Sequence, residues 1–86
     1  MKTIDPKKYN LSSRVILKES SNEQIFLIIN RKSRIIMKDG NRILDIIQKI
    51  KTIEKDKKTL VLTSAPVCSK TRQFLNKNKV EIQKLI

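Results

Sequence analysis

Apolar residues recur along this chain in two rhythms, a period of two and a period close to 3.6, and the alternation between them sets out the elements. Residues 14–19 (Arg-Val-Ile-Leu-Lys-Glu) place Val15 and Leu17 on one side of a strand. Ser20-Ser21-Asn22 is loop chemistry. Residues 24–30 (Gln-Ile-Phe-Leu-Ile-Ile-Asn) are apolar on both sides, β-branched and aromatic, the pattern of a strand covered on both faces. Asn30-Arg31-Lys32-Ser33 interrupts this run, and residues 34–38 resume it with Ile35-Ile36-Met37. That arrangement predicts an antiparallel hairpin with Arg31, Lys32 and Arg34 at its tip.

Asp39-Gly40-Asn41 stops the third strand and caps a first helix. Ile43, Leu44, Ile46, Ile47, Ile50 and Ile53 share one stripe of that helix, with Arg42, Asp45, Lys49 and Lys51 on the other side. Lys55-Asp56-Lys57-Lys58 forms a loop, and residues 59–63 form a short buried strand. Ser64-Ala65-Pro66 opens a second helix, because proline fits the first turn, and Val67, Thr71, Phe74 and Leu75 face inward from it. Asn76-Lys77-Asn78 ends that helix with an asparagine in a left-handed cap, and residues 80–85 make an edge strand.

The predicted order is β-β-β-α-β-α-β: an α+β fold with an α/β-like C-terminal half, a mixed sheet, an antiparallel hairpin and two right-handed crossover helices. Asp5-Pro6 followed by Lys7-Lys8-Tyr9-Asn10 reads as a basic arm over residues 1–11, ahead of a single domain spanning 12–86. Two helices can cover one sheet face together or one face each. In the first case Ile16, Ile36 and part of residues 25–29 stay open to water and call for a partner.

Composition sharpens the functional reading. Eighty-six residues hold one small core, and with aromatics at 3% its volume comes from fourteen isoleucines. The longest apolar run, residues 25–29, is far shorter than the ~20 residues that span a bilayer. Met1-Lys2-Thr3-Ile4 has no apolar stretch behind it and is not a signal peptide. One cysteine, Cys68, excludes an internal disulfide, and zero histidines exclude an imidazole base, a Ser-His or Cys-His pair and a histidine zinc site. The single glycine, Gly40, rules out a glycine-rich phosphate loop. The expectation is a soluble, cytoplasmic, non-enzymatic chain with no cofactor, no metal site, no membrane contact and no small-molecule substrate.

Two segments touch on chemistry. Residues 59–75, with Cys68 ahead of Ser69-Lys70-Thr71-Arg72, resemble the opening strand and helix of glutaredoxins, where a helix N-terminus lowers a thiol pKa. That resemblance implies a redox thiol, but Thr71 stands where the second cysteine belongs, and the bland alternative is a small residue near a buried helix start. The element order also resembles the core of restriction-endonuclease-like nucleases. This resemblance implies an acid-x-Lys pair on the third strand holding a divalent metal that activates water. On the predicted third strand the triplet is Ile36-Met37-Lys38, with isoleucine in place of the carboxylate, and Asp56-Lys57-Lys58 has the right order in a loop.

Charge speaks loudest. Lys+Arg is 20 against Asp+Glu 8, a net +12 that favours a polyanionic partner. Lys38 and Arg42 flank the first helix's start, where cations oppose the helix dipole, while Ser69, Lys70 and Arg72 offer hydroxyl and cations at the second. With Lys7, Lys8, Arg31, Lys32 and Arg34 they form the expected nucleic-acid-binding set. In overall character, and in the segment from Arg31-Lys32-Ser33-Arg34 through Ser69-Lys70-Thr71, the chain resembles a small archaeal ribosomal protein of the large subunit. The resemblance implies a structural role, clamping ribosomal RNA by phosphate contacts beside neighbouring ribosomal proteins. A DNA-binding or chromatin protein, and a protein-interaction module on a catalytically dead nuclease-like fold, are the rival readings.

Overall fold

The computed structural model describes residues 1–20 and 23–85. Ser21, Asn22 and Ile86, the first two of them part of the expected loop, lie outside the described residues. The elements run β1 (Lys2–Ile4), a 3₁₀ turn (Pro6–Tyr9), β2 (Ile16–Glu19), β3 (Gln24–Ile29), α1 (Met37–Ile53), β4 (Lys58–Thr63), α2 (Ser69–Lys77) and β5 (Glu81–Lys84). One five-stranded sheet has the order β1-β2-β3-β4-β5. β1, β2 and β3 form an antiparallel meander, while β3–β4 and β4–β5 are parallel, joined by the two crossover helices. No helix among the described residues is long and apolar enough to cross a membrane.

The predicted β-β-β-α-β-α-β order is therefore present, with two of its members reassigned. The first strand is Lys2–Ile4, paired with β2, so residues 1–11 are not an arm ahead of the domain. Tyr9 and Leu11 from the same stretch are buried in the main core. The expected strand over residues 34–38 is absent apart from Ile35, which makes a single parallel bridge to Val67. Parallel β4 occupies the edge of β3 that a 24–30/34–38 hairpin would need, so the hairpin of this fold is β2–β3.

α1 begins at Met37, earlier than the Asp39-Gly40-Asn41 stop predicts, because Asp39 acts from inside the helix. Its Oδ2 accepts the Ile36 N–H at 2.9 Å, satisfying an amide that the first turn leaves open. α2 begins at Ser69, later than Pro66, since the intervening residues pair with Ile35. The left-handed residue after α2 is Lys79 (φ 62°), not an asparagine.

Both helices lie on one sheet face. Ile43, Ile46, Ile47 and Ile50 of α1 and Leu75 of α2 join Leu17, Ile25, Leu27 and Val61 of the strands in one cluster. The opposite face carries a smaller cluster of Phe26, Leu60 and Leu62, with Ile28 and Leu85 beside it. It is less open than the sequence implies: Ile16 and Ile36 are exposed, but Phe26, Leu60 and Leu62 are at most 9% exposed.

At the far end of α1, Glu54 gathers the 3₁₀ turn and the α1–β4 loop. It accepts from Tyr9 Oη at 3.0 Å and pairs with Lys57 at 3.2 Å and Lys8 at 3.4 Å, while Lys57 also pairs with Glu19. The Lys57 ammonium, then Tyr9 and Lys8, hold the Glu54 carboxyl below its usual range. Burial, and then the neighbouring Glu54 carboxylate, push the Tyr9 phenol up to about 12.

This packing has two testable consequences. A Cβ on Gly40 would stand 2.8 Å from Thr71 Cγ2. Gly40→Ala gains about 1 kcal/mol of helix propensity but incurs about 1–3 kcal/mol of overpacking, so it melts below wild type. Adding Thr71→Ser, which removes the opposing methyl, restores the melting temperature; a rise for Gly40→Ala alone rejects this helix contact. The second concerns pH. The depressed Glu54 pKa gives stability present above the unfolded carboxylate range near ~4.3 and lost as pH falls through the folded value. The raised Tyr9 pKa gives stability present below ~10 and lost as pH climbs beyond it. Thermal melts across pH should show both limbs, with Glu54→Gln shortening the acid limb and Tyr9→Phe the alkaline one.

Candidate nucleic-acid interface

The two loops that leave the parallel strands run side by side. The Ile35 N–H donates to the Pro66 carbonyl at 2.8 Å, and the Cys68 N–H donates to the Ile35 carbonyl at 2.9 Å. Both helices therefore start at the carboxyl ends of β3 and β4, and Gly40 lets α1 approach Thr71 of α2 closely. This juxtaposition brings Arg31, Lys32, Arg34, Lys38 and Arg42 to the same end of the molecule as Ser69, Lys70 and Arg72. Lys7 and Lys8 are not part of it. Lys8 pairs with Glu54 at the other end of α1, a helix about 25 Å long at 1.5 Å per residue.

Arg31 sits in the β3–α1 connection, not at a hairpin tip, and its guanidinium is committed to the protein. It bonds Asp39 at 2.7 Å and the carbonyls of Ser33 and Arg34 at 3.2 Å each, stapling the loop ahead of α1. The Arg31 guanidinium, with the Ile36 N–H, holds the Asp39 carboxyl below its usual range. Lys32, Arg34, Lys38, Arg42, Lys70 and Arg72 are exposed, and their side chains make no hydrogen bond or ion pair among the described residues.

Arg14 joins this set. It lines a cleft of about 230 Å³ between α1 and the β2–β3 pair, with Arg31, Asp39 and Arg42 on its polar side and Val15, Leu27, Ile43 and Ile46 on its apolar side. Sequence reasoning passed over Arg14 because a lone cation ahead of a strand carries no local signal. Beyond β4, a second groove is lined by Ser64, Pro66, Arg72 and Lys84.

Cys68 stands at the N-terminus of α2, half-buried. The N–H groups of Lys70 and Thr71, with Arg34 nearby, pull its thiol pKa down. Thr71 occupies the position of a second thiol and is fully buried. The third strand of the structure is Gln24–Ile29, which contains no acid and no lysine, so neither Ile36-Met37-Lys38 nor Asp56-Lys57-Lys58 lies on it. No group of three or more Cys, Asp and Glu able to hold a metal ion stands among the described residues. The aromatic rings offer no stacking platform: Tyr9 and Phe26 are buried, and Phe74 packs on the core.

No protein-family model matches the sequence, and no curated protein matches it. Solved structures do share the fold. EndoMS in its apo form superposes with a TM-score of 0.65 at 17% identity, over 81% of this chain and 33% of that one. EndoMS in complex with double-stranded DNA gives 0.71 at 16% identity, over 98% and 36%. A repair endonuclease from Pyrococcus abyssi gives 0.66 at 10% identity, over 81% and 31%. The chain thus has the fold of a segment of these endonucleases and spans about a third of their length.

Proposed function

We propose that this chain is a non-cleaving nucleic-acid-binding module that docks on the backbone of duplex DNA through the end where its two helices start. The observation that carries this reading is the cluster of unpaired cations there, Lys32, Arg34, Lys38, Lys70 and Arg72, beside first-turn N–H groups that favour anions. A third strand without a carboxylate supports binding without hydrolysis. Buried aromatic rings support backbone contact over the reading of unstacked bases. Between DNA and ribosomal RNA, the fold shared with EndoMS, one structure of which is a complex with double-stranded DNA, favours DNA.

Salt titration tests the reading. Affinity for a duplex should fall with a log–log slope of roughly −0.9 per phosphate neutralised. Replacing Arg34, Lys70 and Arg72 together by Ala should flatten that slope by about two to three units, since each cation releases counterions on its own. Replacing Lys49 and Lys51, on the outward side of α1, should change it less. Incubation with magnesium or manganese should leave the duplex uncut. Co-sedimentation with large ribosomal subunits through high salt, without duplex binding, would replace this reading with the ribosomal one.

A further inference from the structure

We infer that the cleft between α1 and the β2–β3 pair seats one backbone phosphate and its sugar, with Arg14 and Arg42 gripping the phosphate. The inference rests on the DNA-binding reading above and gives it a specific site. Three guanidiniums and one carboxylate line the cleft. Asp39 Oδ2 takes both the Arg31 guanidinium and the Ile36 N–H, so the pair Arg31–Asp39 forms a fixed rim without net charge. The other two guanidiniums have no partner among the described residues.

Local structure gives Arg42 no partner. It stands exposed in the second turn of α1. The acid three residues on, Asp45, pairs with Lys49 at 3.3 Å instead. An external anion gives Arg42 the partner it lacks, and the planar fork of arginine fits phosphate oxygens two at a time.

The remaining walls match the rest of a nucleotide unit. Val15 and Leu27 of the strand side and Ile43 and Ile46 of α1, all on the helix-covered face, make an apolar floor against which the sugar can lie. At about 230 Å³ the cleft is below the ~300–1,000 Å³ of pockets that engulf a free ligand. It takes a piece of a polymer whose chain continues outside, and the unpaired cations at the helix starts lie where that chain would continue.

The experiment measures binding to a mixed-sequence DNA duplex of about two helical turns, across a range of salt around ~0.1 M. Arg14→Gln combined with Arg42→Gln should weaken binding at least about tenfold and flatten the slope by about one unit, the share of one phosphate. Lys49→Gln combined with Lys51→Gln removes the same charge from elsewhere and should weaken it less. Arg14→Lys with Arg42→Lys should keep the slope and still lose affinity, because the charge stays and the fork is gone. In wild type, the Nε–H resonances of Arg14 and Arg42 should shift on adding the duplex, whereas free adenosine monophosphate should not saturate them. If the duplex binds but the Gln pairs weaken it equally, or those resonances stay put, the cleft is no phosphate site and the DNA-binding reading stands. Saturation by the free mononucleotide overturns the polymer assignment. If wild type does not bind the duplex, both readings fall.

Discussion

Ile35 is the point on which the arrangement of the functional end depends. Its N–H and its carbonyl are both taken by the connection after β4, through Pro66 and Cys68. That single parallel bridge extends the β3–β4 pairing beyond the sheet and holds two outgoing loops together. Neither helix can then start anywhere but beside the other. A close crossing results, and it requires a residue without a side chain: Gly40 is the only glycine in the chain and sits where a Cβ would meet Thr71. Loop pairing, helix contact and the gathering of cations are consequences of one backbone constraint.

The long-period stripe of α1 and the apolar run of β3 were plain in the sequence because both are decided by local burial. The illegible features depended on partners distant in the chain. Ile35-Ile36-Met37 has strand chemistry, and Ile35 does bridge, but β4 already holds the edge of β3 that a hairpin would use. Lys2-Thr3-Ile4 is too short to show a period, so its strand emerges only from pairing with β2. Asp39 marked the helix start correctly in kind and wrongly in place, because a capping carboxylate can act from inside the first turn as well as before it. The side of the sheet that the helices share was open in the sequence, since strands apolar on both faces accept either arrangement.

The candidate site shows the same division. Cations at the helix starts could be identified from local position, and the structure brings most of them to one end. Whether a cation is free is a different matter. Arg31 looked like its neighbours Lys32 and Arg34, yet it is consumed by Asp39 and two carbonyls. Lys8 looked like part of a basic arm ahead of the domain, yet it closes on Glu54. Arg14 carried no signal, because its position matters only through a cleft whose other wall comes from α1, far along the chain.

Ion pairing also gives the net charge a direction. Glu19, Asp45, Glu54 and Glu81 pair with Lys57, Lys49, Lys8 and Lys58 along the body and at the far end of α1. At the end where the helices start, the acid in an ion pair is Asp39, and it is spent on Arg31. Excess positive charge there is neutralised by nothing among the described residues, while the two helix dipoles add partial positive charge of the same sign. Such an end is destabilised by its own field until an anion arrives, and the field that costs the folded chain stability also steers a polyanion toward it. Open parallel sheets form crevices at the carboxyl ends of their strands. This chain keeps that crevice at the end of β3 and lines it with Arg14, Arg31 and Arg42, so the part of the fold that is open to a ligand is also the part with the least compensated positive charge.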